Sequence, residues 1–259
     1  MPGLLAPALK TSDVIGYCSP SSPATVFAPK RYHRAREFLL DKGFALCSGS
    51  RTGHSDFYRS GSILERAHEL NALIRDPKVK CIMSTIGGMN SNALLPHIDY
   101  EALKNNPKIV IGYSDFTAVL LAIYAKTGLV TFYGPALVAS FGEFSPLVDL
   151  TYESFLKILT NDAGFIEYVL PQLWTDEFID WEQQTASKNL YSSTCSFEGS
   201  GIVSGRLIGG NLNTMSGFWG SSYMPDICKG DILLIEDSLK HIATVERLLC
   251  LLDLNGVFD

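Results

Sequence analysis

Ser114 closes an apolar, β-branched run, Lys108-Ile-Val-Ile-Gly-Tyr-Ser-Asp115, and opens Phe116-Thr-Ala-Val-Leu-Leu-Ala-Ile-Tyr-Ala-Lys-Thr-Gly128. The first run reads as a buried strand and the second as a helix stopped by a glycine. A serine on a sharp strand-to-helix turn is pushed out of the sheet, beside the unpaired amides of the helix start. That position exposes a nucleophile and offers donors to an oxyanion. The same serine can instead act as a helix cap, with Asp115 sharing the task. Gly-Tyr-Ser-Asp meets only half of the G-x-S-x-G pattern. Gly87-Gly88 follows the strand Val79–Ser84, and adjacent glycines let backbone amides approach a ligand closely. This pair can supply one oxyanion donor and the Asp115 amide the other; losing one such donor typically costs about 10²–10³ in rate. A plain turn is the alternative. Glu236 ends the apolar run Asp231-Ile-Leu-Leu-Ile-Glu236, where a carboxylate can orient and charge-stabilise a histidine. Asp237 or Ser238 would then cap the next helix.

The histidines are less informative. His33, His68 and His241 fall on predicted helices, His54 lies in a loop and His97 precedes Ile98-Asp99-Tyr100, none with a local signature of a general base. Gly209-Gly210-Asn211 reads as a second glycine turn that opens a helix, able to hold a carboxylate or phosphate on backbone amides. A tight strand–helix turn accounts for it without a ligand. No Walker motif is present and no G-x-G-x-x-G follows the first strand, so no nucleotide cofactor is expected.

The elements that carry these residues alternate. Strands are predicted at Asp13–Cys18, Phe44–Cys47 and Val79–Ser84, and helices at Lys30–Lys42 and Ser62–Ile74, the latter with Leu64, Ala67, Leu70 and Leu73 on one face. This is the pattern of an α/β fold in which parallel strands are joined by crossover helices. Ligands in such sheets bind beyond the carboxyl ends of the strands, where Ser19, Gly87, Gly88 and Ser114 all fall. The expected division is a parallel-sheet, flavodoxin-like domain over 1–165, a linker and substrate-binding loop over 166–200, and a smaller, truncated C-terminal α/β domain over 201–259. The last contains strands at Gly201–Ile208 and Asp231–Glu236 and a helix from Leu239 to Leu252. Asp253–Gly256 reads as a turn and Val257-Phe258 as the first step of another strand, so further residues are expected downstream. The stretch from Pro171 to Glu198, with Trp174 and Trp181, is long enough to suggest a binding element.

A net charge of −6 over 259 residues argues against a nucleic-acid partner. The six cysteines form no CxxC and no metal spacing, so a reduced compartment and no metal are expected. No apolar run reaches the roughly 18 residues of a membrane span. Met1 to Lys10 lacks a basic leader and is broken by prolines, so no signal peptide is expected and the reading is cytoplasmic.

Taken in order, several short segments resemble the LD-carboxypeptidase family of serine peptidases, and within it the microcin C immunity subgroup. They are Asp13-Val-Ile-Gly16, Ser19-Pro-Ser21, Ser48-Gly-Ser-Arg-Thr-Gly53, Gly61-Ser-Ile-Leu-Glu-Arg66, Ser84-Thr-Ile-Gly-Gly-Met-Asn-Ser-Asn92, Ile111-Gly-Tyr-Ser-Asp-Phe-Thr117, Tyr133-Gly-Pro135, Leu207-Ile-Gly-Gly-Asn-Leu-Asn213 and Leu234-Ile-Glu-Asp-Ser238. The resemblance implies a Ser-Glu-His triad with Ser114 as nucleophile and Glu236 as acid. It makes Gly88 and the Asp115 amide the oxyanion donors, with Gly87 and Asn211 in the substrate site. It puts the histidine in a segment beyond residue 259, so the chain as given is expected to be inactive or nearly so, since losing one triad member costs on the order of 10⁴–10⁶ in kcat. It also implies a homodimer without cofactor, acting on a small-molecule or short-peptide substrate. In the immunity subgroup a loop tryptophan stacks on the adenine of an aminoacyl-nucleotide; Trp181 is the candidate and Trp174 the reserve. Both tryptophans can instead pin the loop to the body. The rival readings are a murein tetrapeptide LD-carboxypeptidase, a non-catalytic ligand-binding relative, and a glutamine-amidotransferase-like or nucleotide-binding α/β protein, which would need a cysteine nucleophile or a phosphate loop that the sequence does not show.

Overall fold

Five short apolar runs pair side by side because each is followed by a chain segment long enough to cross back over the sheet. β1 (Val14–Cys18), β2 (Ala45–Ser48), β3 (Val79–Ser84), β4 (Ile109–Gly112) and β5 (Phe132–Tyr133) form one parallel sheet in the order β2-β1-β3-β4-β5. That order is the flavodoxin-like doubly wound arrangement, with its switch point between β1 and β3. The computed structural model describes residues 3–162, 164–238 and 240–258.

The period-two alternation of a strand decides which layer each residue joins. Ile15 and Tyr17 of β1, Cys81 and Met83 of β3, and Ile109 and Ile111 of β4 face one core, shared with α1 (Ala24–Phe27), α2 (Pro29–Asp41), a π-helical turn at Leu137–Phe141 and α6 (Leu147–Leu159). Cys18, Ile82 and Val110 face the other, covered by α3 (Ile63–Arg75), α4 (Tyr100–Asn105) and α5 (Thr117–Thr127), and Val79 joins them because the pairing of β1 with β3 shifts register just after it. Ser62 starts α3 with a capping box: its side chain accepts from the Glu65 amide while Glu65 reaches back to the Ser62 amide. Helix α5 is buried along Thr117–Ile123, because a second unit covers its far side.

A hairpin of β6 (Leu173–Trp174) and β7 (Tyr191–Ser192) interrupts the long polar stretch. The second unit follows. β8 (Leu207–Asn211) runs parallel to β9 (Ile232–Glu236), flanked by α7 (Leu212–Ser216) and α8 (Ile242–Leu254). Ile208, Leu212, Met215, Leu248 and Leu252 bury themselves in the same core as α5. The chain thus has a five-stranded α/β unit and a smaller C-terminal α/β unit.

Several expectations need correction. The strand predicted over Gly201–Ile208 begins only at Leu207, since residues 201–206 are exposed and outside any ladder. Gly209-Gly210 is not a turn but the carboxyl end of β8. Both residues have φ +148, and a Cβ on Gly209 would sit 1.7 Å from the Leu234 carbonyl oxygen, so glycine permits the two strands to close. The final helix starts at Ile242 rather than near Leu239, which lies outside the described residues, and it is capped by His241 Nδ1 rather than by Asp237 or Ser238. Val257 and Phe258 lie in a turn, where the Val257 amide bonds back to the Leu252 carbonyl.

One buried carboxyl braces the loops after β1 and β2. Glu69 is 1% exposed and accepts the Ser19 amide at 2.9 Å and the Arg51 amide at 2.8 Å. Burial outweighs those two bonds and pushes its carboxyl up to about 7. A carboxyl raised above its unfolded value of about 4.3 binds more protons in the native state across that window, so its stabilising effect is full below about pH 4 and is lost as pH rises towards 7. Urea titrations of the wild type and Glu69→Gln between pH 5 and 8 should therefore show the wild type losing about 2–3 kcal/mol relative to the variant over the upper part of the carboxyl's shifted range.

Candidate active site

β4 ends at Gly112, and the next residues tighten into a 3-10 turn, Ser114–Phe116, before α5 begins. Ser114 sits in this turn with φ +59, a left-handed conformation that costs a residue with a side chain and persists only where the surroundings impose it. Its side chain does not cap the helix. The residues flanking the 3-10 turn and α5 at their starts are Tyr113 and Phe116, and neither makes a side-chain cap bond. Ser114 is partly exposed.

The turn sets the hydroxyl beside Gly87, while the open side of Gly88 faces Ser21 and Ser22. A Cβ on Gly87 would lie 2.7 Å from both Cβ and Oγ of Ser114 and 3.1 Å from the Asp115 amide nitrogen, so only glycine leaves room for the serine. Asp115 is at the start of the 3-10 turn, where amides have no partner within the turn. Its side chain turns inward, 3% exposed, and accepts the Asn90 amide at 3.0 Å and the Ser91 amide at 2.9 Å. One residue thus presents its own amide beside Ser114 and holds the far end of the Gly87–Gly88 loop. Ser21 Oγ accepts the Met89 and Asn90 amides at 3.0 and 3.2 Å, and Arg66 Nη1 donates to the Pro20 carbonyl and to Asn90 Oδ1. The loop that carries Gly88 is therefore fixed from three sides.

Glu236, at the carboxyl end of β9, reaches the Ser114 turn through two side chains. Tyr133 Oη donates to Glu236 Oε1 and accepts the Ser114 amide at 2.9 Å. Asn211 Nδ2 donates to the same Oε1 at 2.9 Å. Burial, then the bond to Glu236, pushes the Tyr133 phenol well above the usual tyrosine range, so it stays protonated and donates. Asn211 Oδ1 caps α7 by accepting the Thr214 amide at 2.9 Å, and the Asn211 amide donates to Thr117 Oγ1 at 3.0 Å. Thr117 Oγ1 in turn donates to the Ser114 carbonyl at 2.6 Å. Among the described residues no histidine bonds to Ser114 or Glu236; His54 Nδ1 pairs with the Thr52 carbonyl. No group of three or more metal-ligating side chains occurs among the described residues, and no helix of the described residues is long and apolar enough to cross a membrane.

Trp181 lies on the loop where residues 180–188 fold onto the start of α2. The Arg31 guanidinium sits 4.6 Å over its ring and Phe27 lies 6.0 Å away. Gln184, 5% exposed, accepts from Arg31 Nη1 at 2.7 Å and donates to Glu143, while Glu182 Oε1 accepts the Lys30 amide at 3.0 Å. Trp181 is thus half-buried against the body. Trp174 packs on Tyr191 across the exposed hairpin.

A serine on a strained strand-to-helix turn, set beside Gly87 and with its backbone linked through Tyr133 to a carboxylate, is the equipment of acyl transfer. Two family models match the chain: the LD-carboxypeptidase N-terminal domain over residues 15–134 and the LD-carboxypeptidase C-terminal domain over residues 204–259. The chain belongs to the LD-carboxypeptidase family. Both units of the fold carry matched residues, and the long loop lies between them. A putative carboxypeptidase of Vibrio cholerae is 62% identical over 256 residues, covering 99% of this chain and 77% of that protein. The microcin C7 self-immunity protein of Escherichia coli is 60% identical, covering 99% of this chain and 75% of its own. Its solved wild-type structure superposes with a TM-score of 0.96 at 61% identity, covering 99% of this chain and 77% of that one. That immunity protein has also been solved with aspartyl sulfamoyl adenosine, with glutamyl sulfamoyl guanosine, and, as a tryptophan-to-phenylalanine variant, with adenosine monophosphate. LD-carboxypeptidase membership makes the chain a serine-peptidase-type hydrolase.

Sequence reading overlooked the roles of Tyr133 and Thr117 in this LD-carboxypeptidase site. Tyr133 was visible only as part of Tyr133-Gly-Pro135, at the carboxyl edge where the other site residues gather.

Proposed function

We propose that Ser114 is the nucleophile of an amidase that releases the aminoacyl group from an aminoacyl-nucleotide. The observation that carries this reading is the left-handed Ser114 turn with its hydroxyl against Gly87 and the Asp115 amide. Ser114 Oγ adds to the scissile carbonyl carbon and its proton passes to a base. The Gly88 and Asp115 amides take the oxyanion, the base returns its proton to the leaving nitrogen as the C–N bond breaks, and water, deprotonated by the same base, hydrolyses the acyl-serine and restores Ser114. Glu236 is the acid that holds the base, the histidine that family resemblance implies, in its working tautomer, and turnover is measured on a form of the protein that carries that histidine. Drawn this way, the reaction uses no metal or cofactor. Gly87, bare so that Ser114 fits against it, borders the substrate's acyl group, and Asn211 has a second Nδ2 hydrogen to offer the substrate. The site lies where the first unit, about 1–165, meets the C-terminal unit, about 201–259, with 166–200 as the loop that covers the substrate.

Trp181 is proposed as the platform for the base of the nucleotide. The complexes of the E. coli immunity protein with sulfamoyl nucleosides support a nucleotide-bearing substrate, and the rigid seating of Trp181 on Arg31 supports a preformed platform. Stacking on tryptophan contributes about 1–3 kcal/mol per base, so Trp181→Ala should raise KM for aspartyl sulfamoyl adenosine about 5- to 150-fold with kcat little changed. Comparing turnover of that compound with turnover of a murein tetrapeptide tests the substrate reading; preference for the tetrapeptide, or binding of either without turnover, would replace it with one of the rival readings. We also read the protein as a cytoplasmic homodimer. Six unpaired cysteines support the reduced compartment. The dimer rests on family resemblance and is checked by sedimentation.

A further inference from the structure

The contacts around Ser114 close into a ring. From the Ser114 amide it runs to Tyr133 Oη, Glu236 Oε1, Asn211 Nδ2, the Asn211 amide, Thr117 Oγ1 and back to the Ser114 carbonyl. Both peptide groups flanking Ser114 are held by side-chain hydroxyls, and the same hydroxyls lead to the carboxylate. We propose that Tyr133 and Thr117 are positioning residues that lock the left-handed Ser114 backbone to Glu236, so that nucleophile and acid are aligned as one unit. The proposal rests on Ser114 and Glu236 acting as proposed above.

Three observations carry it. Ser114 adopts a backbone conformation unfavourable for any residue with a Cβ, and its own side chain makes no cap bond that would hold it there. Tyr133 Oη spends its lone pair on the Ser114 amide and its hydrogen on Glu236, which fixes the phenol proton and leaves the Ser114 amide out of the oxyanion pair. Among the described residues, the bonds from Tyr133 and Asn211 both fall on Oε1, which leaves Oε2 for the base of the proposed triad. Thr117 depends on Gly210 for its place: a Cβ on Gly210 would lie 2.6 Å from the Thr117 methyl and 2.8 Å from its hydroxyl. The ring therefore joins β5 and α5 of the first unit to β8 and β9 of the second.

A positioning role predicts a loss in kcat with KM unmoved, and coupling to the acid. With aspartyl sulfamoyl adenosine as substrate, Tyr133→Phe should lower kcat about 10- to 100-fold and leave KM within about twofold, the usual scale for removing an outer hydrogen-bond partner. In a Glu236→Gln background the same substitution should cost less than about threefold. A wild-type kcat for Tyr133→Phe, a loss expressed only in KM, or an equal loss in both backgrounds would overturn the proposal. Full activity of Glu236→Gln alone would instead remove the triad reading on which it rests. If Tyr133→Phe does not fold, Thr117→Val carries the test, since it deletes only the hydroxyl. It must show the same split between kcat and KM, and a wild-type kcat there overturns the proposal.

Discussion

In a form of the protein that carries the triad's histidine, replacing Ser114 with alanine should reduce turnover of aspartyl sulfamoyl adenosine by about 10⁴–10⁶ while substrate still binds, because the change deletes the bond-forming atom and leaves the oxyanion donors in place. The fold should survive. Ser114 Oγ caps no helix, and the loop beside it is held by Asp115, Ser21 and Arg66 rather than by the serine hydroxyl. The thermal midpoint should stay level or rise slightly. A change in KM without a change in kcat would mean that Ser114 serves binding and that the bond-forming atom lies elsewhere.

Glu236→Gln should be the second most damaging substitution, lowering kcat about 10⁴-fold. The amide keeps the shape of the carboxylate but removes its charge, and it presents two N–H donors where the site requires acceptors. Oε1 takes hydrogens from Tyr133 and Asn211, so a glutamine that keeps its carbonyl there must aim its NH₂ at the base and favour the wrong tautomer. Flipped the other way, it faces two donors with a donor. Steady-state kinetics of the purified variant check this, with circular dichroism to establish that the fold is retained.

The alternation of strands and helices was legible because the strands of the sheet are short apolar runs and several helices are marked by a cap or a glycine stop. Ser62 before α3 and Gly128 after α5 are examples. The second unit was harder to read. Gly201 to Arg206 has strand-like composition but no neighbour to pair with, and Gly209-Gly210 has the look of a turn while serving as the tight end of β8. Pairing between strands more than twenty residues apart leaves no local trace.

The site divides in the same way. Local pattern put Ser114 on a strand-to-helix turn and Gly87-Gly88 at a neighbouring strand end, and the structure brings these side by side. Topology explains why: β3 and β4 are adjacent, so their carboxyl ends open on the same crevice. The ring through Tyr133, Glu236, Asn211 and Thr117 was invisible, because its bonds join residues 103 and 94 positions apart. Trp181 shows a different limit. Its residue type suggested stacking, whereas its cation–π contact with Arg31 follows from how the loop folds back on α2.

A crystal structure of Ser114→Ala bound to aspartyl sulfamoyl adenosine tests the central claim most directly. The account predicts the scissile carbonyl carbon about 3–3.5 Å from the position that Ser114 Oγ occupies, with the carbonyl oxygen about 3 Å from the Gly88 and Asp115 amides. A ligand whose carbonyl lies away from the glycine pair, with residue 114 out of reach, would contradict it.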